Sequence, residues 1–396
     1  MSGQPLLSEY TNELWGADWP AVRELWPLES TVSHLNHGSY GAVATPVLEE
    51  QQSWRQRMEA NPVRFFAREL DAALDQSRAE IAHFLGTDGD SIAFVPNATT
   101  AVSTVLSCFP LEPGDEVLLT DHAYGAVRIA AERWAAAAGA RVVTVPVPLR
   151  AGDDEVTDTV LAAVTARTRL AIIDHVTSAT ARRLPLVSLV PALKERSVAV
   201  LVDAAHAPGM LAVELDRLGA DYWTGNLHKW CCAPRGTAVL HVAPEHRAGV
   251  RPLVASWRES DGFPGAFNVT GTDDLTAWLA APRALRLLDQ LGFDKLRRHN
   301  VELAVAGQNL VAQALNVERA DLPRDPAVSM QLVPLPAGVA GDELEAAALQ
   351  ARIGEQIAVE VAVTNWNGQG FVRLSAQAYN APADYARFAA DLPALL

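Results

Sequence analysis

Short apolar runs rich in β-branched residues alternate with segments of helix length along most of this chain, and that alternation restricts its fold more than any other feature. The runs are "SIAFV" (91–95), "EVLLT" (116–120), "RVVTVPV" (141–147), "RLAIIDHV" (169–176) and "VAVLVDAAH" (198–206). Between them lie segments such as "AVRIAAERWAAAAG" (126–139) and "LVSLVPALKER" (186–196). Strands apolar on both faces must be covered on both faces, so the pattern predicts an α/β fold with a mainly parallel sheet between helices. "ELDAALDQSRAEIAHFLG" (69–86) has helical spacing and stops at Gly86, and "NATTAVSTVLSCF" (97–109) opens on capping residues and runs on as a helix. "TAVLHV" (237–242) reads as one more strand, and 276–315 reads as largely helical.

The pattern then changes. "AVSMQLVPL" (327–335), a helix near "DELEAAALQARIG" (342–354), "IAVEVAV" (357–363), "GFVRLSAQ" (370–377) and a last helix from Pro382 predict a smaller α+β unit. The expected organisation is a large domain over 46–290, a small C-terminal domain over 291–396, and a segment over 1–45 that contributes to the small domain and the active site.

Ligands of open α/β sheets bind at the carboxyl ends of the strands. Those ends carry Asn97-Ala98-Thr99-Thr100, Asp121-His122-Ala123-Tyr124, His175-Val176-Thr177-Ser178, Asp203-Ala204-Ala205-His206 and Asn226-Leu227-His228-Lys229. The first is a helix start, which serves either as an ordinary N-cap or as a phosphate site. Neither G-x-x-x-x-G-K-[ST] nor G-x-G-x-x-G occurs, so nucleotide sites of those kinds are unsupported.

Asp203 ends an apolar strand, and a carboxylate at that depth needs a cation or several donors. Lys229 ends the next strand and turn. The two make either a structural ion pair or the two ends of a pyridoxal phosphate site, in which the aspartate meets the ring nitrogen and the lysine forms a Schiff base. Neighbouring residues favour the cofactor. His206 can reach the ring hydroxyl, Asn226 and His228 the phosphate, and Tyr124 or His122 the face of the ring.

Other function classes are excluded by composition. A net charge of −15 without a basic run opposes nucleic-acid and anionic-lipid partners. No stretch approaches the roughly 20 apolar residues of a membrane span. The first twenty residues lack the features of a signal peptide, so a cytoplasmic location is expected. Three cysteines, Cys108, Cys231 and Cys232, imply no disulfide framework, and no Cys/His cluster has metal-ligand spacing.

In order along the chain, "HLNHGSYGAV", "PNATTAV", "TDHAYGAVR", "HVTSAT", "VDAAHAPG", "GNLHKW", "VTGTDD" and "VRLSAQAYN" resemble the isopenicillin N epimerase-like group of class V aminotransferases. The resemblance implies a fold-type I enzyme with a seven-stranded-type sheet and pyridoxal phosphate as cofactor. It implies Lys229 as the Schiff-base lysine, Asp203 at the ring nitrogen, His206 at the ring oxygen and Tyr124 stacked on the ring. Ala98, Thr99, Ser178, Asn226 and His228 match cofactor positions, and Thr272 matches one supplied by the other subunit of a homodimer. Arg373 matches the arginine that clamps the substrate α-carboxylate, where an exposed strand arginine is the alternative, and Asn36, His37 and Ser39 close the substrate side.

One departure from the group's pattern is Thr180-Ala181-Arg182-Arg183, where many members have Thr-Gly and an apolar residue. Either arginine adds charge near the substrate, or both face solvent. Abstraction of the Cα proton is common to the reactions that follow. C–S lysis of a cysteine S-conjugate is expected first, with epimerisation, transamination and a decarboxylating variant as alternatives and a non-catalytic sensor as a remote one. Lysis needs only one well-placed base, and Trp230, Trp257 and Trp366 lie near predicted site loops, which suits a large apolar conjugate. Persulfide chemistry of the desulfurase kind is disfavoured, because residues 233–396 hold no cysteine.

Overall fold

A computed structural model describes residues 19–396. The reading of the N-terminus as free of a signal peptide falls on 1–18, outside the described residues. The strands are β1 (Ser33–His34), β2 (Ile92–Val95), β3 (Glu116–Thr120), β4 (Arg141–Val145), β5 (Thr168–Asp174), β6 (Ala199–Asp203), β7 (Tyr222–Asn226), β8 (Ala238–Val242), β9 (Met330–Pro334), β10 (Val359–Glu360), β11 (Ala362–Trp366) and β12 (Gln369–Ser375).

Seven of them form one sheet in the order β2-β8-β7-β6-β5-β3-β4. Neighbours from β7 across to β4 run parallel, as the alternating pattern predicts. Only β8 is reversed, antiparallel to both β7 and β2. The reason is the length of the connection. A parallel crossover needs a dozen or more residues, usually a helix, and between Asn226 and Ala238 the chain makes only the turn that carries Lys229.

Every residue of β2, β3, β6 from Val200 on, β7 and β8 is buried, and apolar cores lie on both faces of the sheet. Residues such as Leu118, Val200 and Val202 pack one face, and Val117, Leu119 and Leu201 pack the other. Burying each such side chain contributes about 1.5–3 kcal/mol. Strand pairing sets Asp174 opposite Asp203 and Asp203 opposite Thr224, so three strand ends finish level at one edge of the sheet.

The stretch 276–315 forms two helices, Thr276–Leu291 and Phe293–Ala314, broken at Gly292 with φ 82°. The second helix starts beside the large sheet through Leu296 and ends in a separate core with Leu303 and Val311. That core lies on an antiparallel sheet, β11-β12-β9, and takes in Val372, Leu374, Tyr385 and Phe388. β1 pairs in parallel with β10, which fastens the start of the described chain to this unit. From β1 the chain crosses directly to the Lys229 turn. Among the described residues no helix is long and apolar enough to cross a membrane.

Candidate active site

Lys229 stands at the end of β7 on a turn held from two sides by close backbone approaches. Gly41 adopts φ 67°, and a Cβ there would lie 2.2 Å from the His228 carbonyl oxygen. Gly209 adopts φ 85°, and a Cβ there would lie 2.4 Å from the Trp230 carbonyl oxygen. Only glycine meets both demands, a left-handed backbone and no side chain. His37 Nε2 donates to the Lys229 carbonyl at 3.0 Å, and its Nδ1 meets the Tyr379 hydroxyl at 2.9 Å. The lysine backbone is therefore fixed from behind while its side chain points into a cavity. That cavity has a volume of about 170 Å³ and is open on one side.

Burial and the nearby Arg373 guanidinium push the Lys229 amine down to about 8, although Asp203 opposes them. At about 8 the free base is roughly a tenth of molecules at pH 7, far more than for an ordinary lysine. Its Nζ lies 3.2 Å from His206 Nε2. His206 is itself held well below the usual imidazole range by burial and by the positive charges of Lys229 and Arg373.

Asp203 lines the cavity at only 4% exposure. One carboxylate oxygen accepts the Ala205 N–H at 3.0 Å, and the other has no donor among the described residues. Beside it, at the end of the neighbouring strand, lies a residue the sequence reading passed over, Asp174. It too lines the cavity and is 4% exposed. Burial raises both carboxyl groups. Two carboxyls so close cannot both ionise cheaply, and the Asp203 charge adds to burial in raising Asp174. The signal was present in "RLAIIDHV", a carboxylate closing an apolar strand as in "VAVLVDAAH".

The opposite end of the cavity is a helix start. Asn97 caps the helix Ala98–Cys108 by accepting the Thr100 N–H at 2.8 Å. Asn226 Oδ1 accepts the Ala98 N–H at 3.0 Å. The Thr99 N–H has no intrahelical acceptor, as expected in a first turn, and such groups together with the helix dipole favour an anion. His228 lines the same end and donates from Nδ1 to the Thr237 carbonyl at 2.8 Å. Burial and the charges of Lys229 and Arg235 lower its imidazole to about 4.

Arg373 rises from β12 toward the rim and is 3% exposed. Its guanidinium donates to the Ser178 carbonyl at 2.5 Å and to Ser39 Oγ at 3.1 Å, with Asn36 Oδ1 at 3.4 Å. Nε is buried without a partner, and no carboxylate neutralises the charge among the described residues. Ser39, Ser178 and Tyr124 line the cavity, Tyr124 half-exposed.

The structure brings together Ala98, Thr99, Tyr124, Ser178, Asp203, His206, Asn226, His228, Lys229 and Ser39, with Asn36 and Arg373 at the rim. It departs from the sequence reading elsewhere. His37 does not face the substrate side; it is 2% exposed and bound behind the lysine, because the narrow "HGSYG" crossing leaves its ring no other direction. His122 is also turned away, with both ring nitrogens engaged by Thr180 and Val147 and its face stacked on Trp366 at 4.6 Å. Thr272 is exposed and does not line this chain's cavity.

The three tryptophans do not converge. Trp230 is buried, Trp257 is fully exposed, and Trp366 packs on His122 outside the cavity. They give no support to a bulky apolar substrate. Arg182 donates to the Pro148 and Ala151 carbonyls, and Arg183 meets Asp153 while its backbone N–H meets Asp325. Both brace loops; neither lines the cavity nor simply faces solvent. Cys231 and Cys232 are buried in the core, and burial raises both thiols, Cys232 to about 12.

Residues 42–388 match the family described as aminotransferase class V. The chain is 33% identical to isopenicillin N epimerase of Streptomyces clavuligerus, over 96% of this chain and 98% of that protein. It is 30% identical to the probable chloroplastic L-cysteine desulfhydrase of Arabidopsis thaliana, over 91% of this chain and 83% of that protein. The fold is similar to that of C-DES, solved as a mutant with glycine covalently linked to its pyridoxal phosphate cofactor. That likeness has a TM-score of 0.79 at 22% identity and covers 93% of this chain and 98% of the other. With a match over most of its length and a lysine, an aspartate and a helix start disposed around one cavity, the chain belongs to the class V aminotransferase family of pyridoxal-phosphate-dependent enzymes.

Proposed function

We propose that this chain binds pyridoxal phosphate in the Lys229 cavity and uses it to eliminate sulfur from the β-carbon of cysteine or a small cysteine S-conjugate. The residues present fit the cofactor at three separate points. A buried carboxylate with one unbonded oxygen, Asp203, suits a protonated ring nitrogen. A near-neutral amine, Lys229, suits an aldehyde. The helix start at Ala98 and Thr99, with Asn226 and His228, suits a phosphate. A phosphate dianion there also favours the protonated form of His228.

When bound, pyridoxal phosphate supplies an electron-withdrawing ring that acidifies the α-proton of an attached amino acid. The protein does the rest. Arg373 takes the substrate carboxylate in a two-pronged contact, which relieves its own unneutralised charge. Lys229 Nζ takes the α-proton. Asp203 keeps the ring nitrogen protonated, and His206 donates toward the ring oxygen. Cleavage of the Cβ–S bond with that proton loss yields hydrogen sulfide from cysteine, or a thiol from an S-conjugate, and 2-aminoacrylate, which water converts to pyruvate and ammonia.

The base set of the cavity carries this reading. Lys229 is the one amine among the described residues lining it, and His206 and His228 each have a ring nitrogen tied to another group. Elimination needs one such base, whereas epimerisation needs a second on the opposite face. With His37 turned away, Tyr124 is the second candidate, and its hydroxyl has no partner among the described residues; together with the Streptomyces relative it favours epimerisation as a second reading.

Incubation with L-cysteine and S-methyl-L-cysteine, with mass spectrometry of the products, separates the two. Hydrogen sulfide from L-cysteine or methanethiol from S-methyl-L-cysteine, with pyruvate in equal amounts, is expected. Deuterium uptake at Cα with an intact skeleton would replace the lyase reading with an epimerase. Tyr124→Phe is expected to change elimination by less than about threefold, whereas loss of a general acid or base costs about 10²–10⁴-fold.

The working unit is a homodimer in which Thr272 reaches the partner's phosphate end. An apolar groove lined by Leu253, Val254 and Phe267 runs past Thr270 and Gly271 to Pro96 and Thr100, at the same helix start. Exposed Leu253 and Val254 there, and Trp257 nearby in sequence, are unusual on a free surface. Analytical ultracentrifugation is expected to give a dimer; a fully active monomer would refute the assembly.

A further inference from the structure

Trp230 follows the lysine directly, yet its side chain turns away from the cavity and is 1% exposed. Its indole Nε1–H donates to His206 Nδ1 at 3.3 Å. An indole nitrogen can only donate, so the imidazole nitrogen it meets must hold a lone pair. The single proton of a neutral His206 ring then sits on Nε2. That nitrogen lies 3.2 Å from Lys229 Nζ. An Nε2–H is itself a donor, and its partner must be an acceptor, which a lysine is only as the free amine.

We infer that Trp230 is a positioning residue that fixes the Nε2–H tautomer of His206 and so biases Lys229 toward its neutral, reactive form. The inference rests on the reading of Lys229 as the reacting amine. The direction of hydrogen bonding runs one way through the trio: indole N–H to His206 Nδ1, then His206 Nε2–H to the lysine nitrogen. When the lysine is engaged elsewhere, the same Nε2–H remains available as a donor to an oxygen in the cavity. Burial and the charges of Lys229 and Arg373 disfavour a doubly protonated ring, and a second ring proton on Nδ1 would also face the indole N–H.

The indole has no freedom to leave. The His37 ring lies 5.0 Å from it, centroid to centroid, and a Cβ on Gly38 would touch its Cζ2 at 3.4 Å. Gly209 packs against the turn at Trp230, and His37, which holds the Lys229 carbonyl, also packs on the indole, so one packing arrangement sets both the place of the amine and the direction of this donor. A phenylalanine at 230 would keep the packing and lose only the N–H.

The test is long-range ¹H–¹⁵N correlation of the histidine rings in the full-length protein, before and after addition of pyridoxal phosphate, with His206 assigned by its absence in His206→Gln. Wild type is expected to show a protonated Nε2 and an unprotonated Nδ1 from pH 6 to 9. An Nδ1-protonated ring in wild type would overturn the inference without any variant. Trp230→Phe is expected to give mixed tautomers and to raise the Lys229 pKa by about one unit, since the Nδ1–H tautomer turns Nε2 into an acceptor for the ammonium. The rate at which the visible band of bound pyridoxal phosphate appears should then fall by up to about tenfold at pH 7 and match wild type near pH 10. An unchanged tautomer and pH profile in Trp230→Phe would refute it, as would equal slowing at both pH values, which marks plain structural damage. Absence of the band in wild type would instead remove the reading of Lys229, while the ring spectra would still report the tautomer.

Discussion

Lys229→Ala is expected to lower turnover of L-cysteine by about 10³-fold or more, within the span seen for loss of a catalytic base. The visible absorption that pyridoxal phosphate acquires on joining the protein amine should also disappear. The size of the loss follows from the absence of a substitute. Among the described residues lining the cavity the other nitrogen bases are His206, whose Nδ1 accepts from Trp230, and His228, whose Nδ1 is bonded to Thr237. Neither is an amine, and both are held mainly neutral by burial. Added methylamine should restore part of the lost rate, because a small amine can enter the space the side chain vacates. Retention of both the band and the turnover would show that another group carries the chemistry.

Arg373→Lys should lower kcat/KM for cysteine by about 100-fold, equivalent to about 2.7 kcal/mol of lost transition-state stabilisation. Most of the effect is expected in KM, since the carboxylate is held in the ground and transition states alike. Lysine offers a compact charge where the planar guanidinium presents a fork, and it cannot reach Ser178, Ser39 and a carboxylate together. A control without the carboxylate separates the roles. Cysteamine should be handled equally badly by wild type and variant if Arg373 acts through the carboxylate. Arg373→Leu should leave thermal stability unchanged or raise it, because it removes a buried charge with no anionic partner. A fall in stability with KM unaffected would make Arg373 structural.

Much of this molecule was legible in one dimension because its signals are local. β-Branched runs separated by helix-length segments require a covered sheet, whatever the detailed packing. Asp203 and Lys229 were both singled out by their strand ends, although in the structure the Ala205 N–H, and not the lysine, is the hydrogen-bond partner of Asp203. Even the capping of the Ala98 helix by Asn97 was visible, because an N-cap depends on residues three apart. Family motifs then attached roles to positions the pattern had already singled out.

What failed was direction. His37 and His122 stand beside site residues in sequence, yet both rings turn into the protein, because the crossing of 37–41 over the lysine turn and the docking of Trp366 on His122 are contacts between distant segments. Asp174 closes its apolar run as Asp203 does, but that it sits beside Asp203 is set only by strand pairing between distant segments.

The sequence by itself determined the class of fold and placed an amine, a carboxylate and a helix start at neighbouring strand ends. These follow from residue type and spacing, which act over a few positions. Only the tertiary structure decided which rings face the cavity, that β8 runs backwards, and that the Lys229 amine sits near pKa 8 beneath a buried arginine. Side-chain direction, desolvation and charge proximity are properties of a packed interior. They come into being when segments far apart in the chain exclude water from one another, and no local pattern carries them.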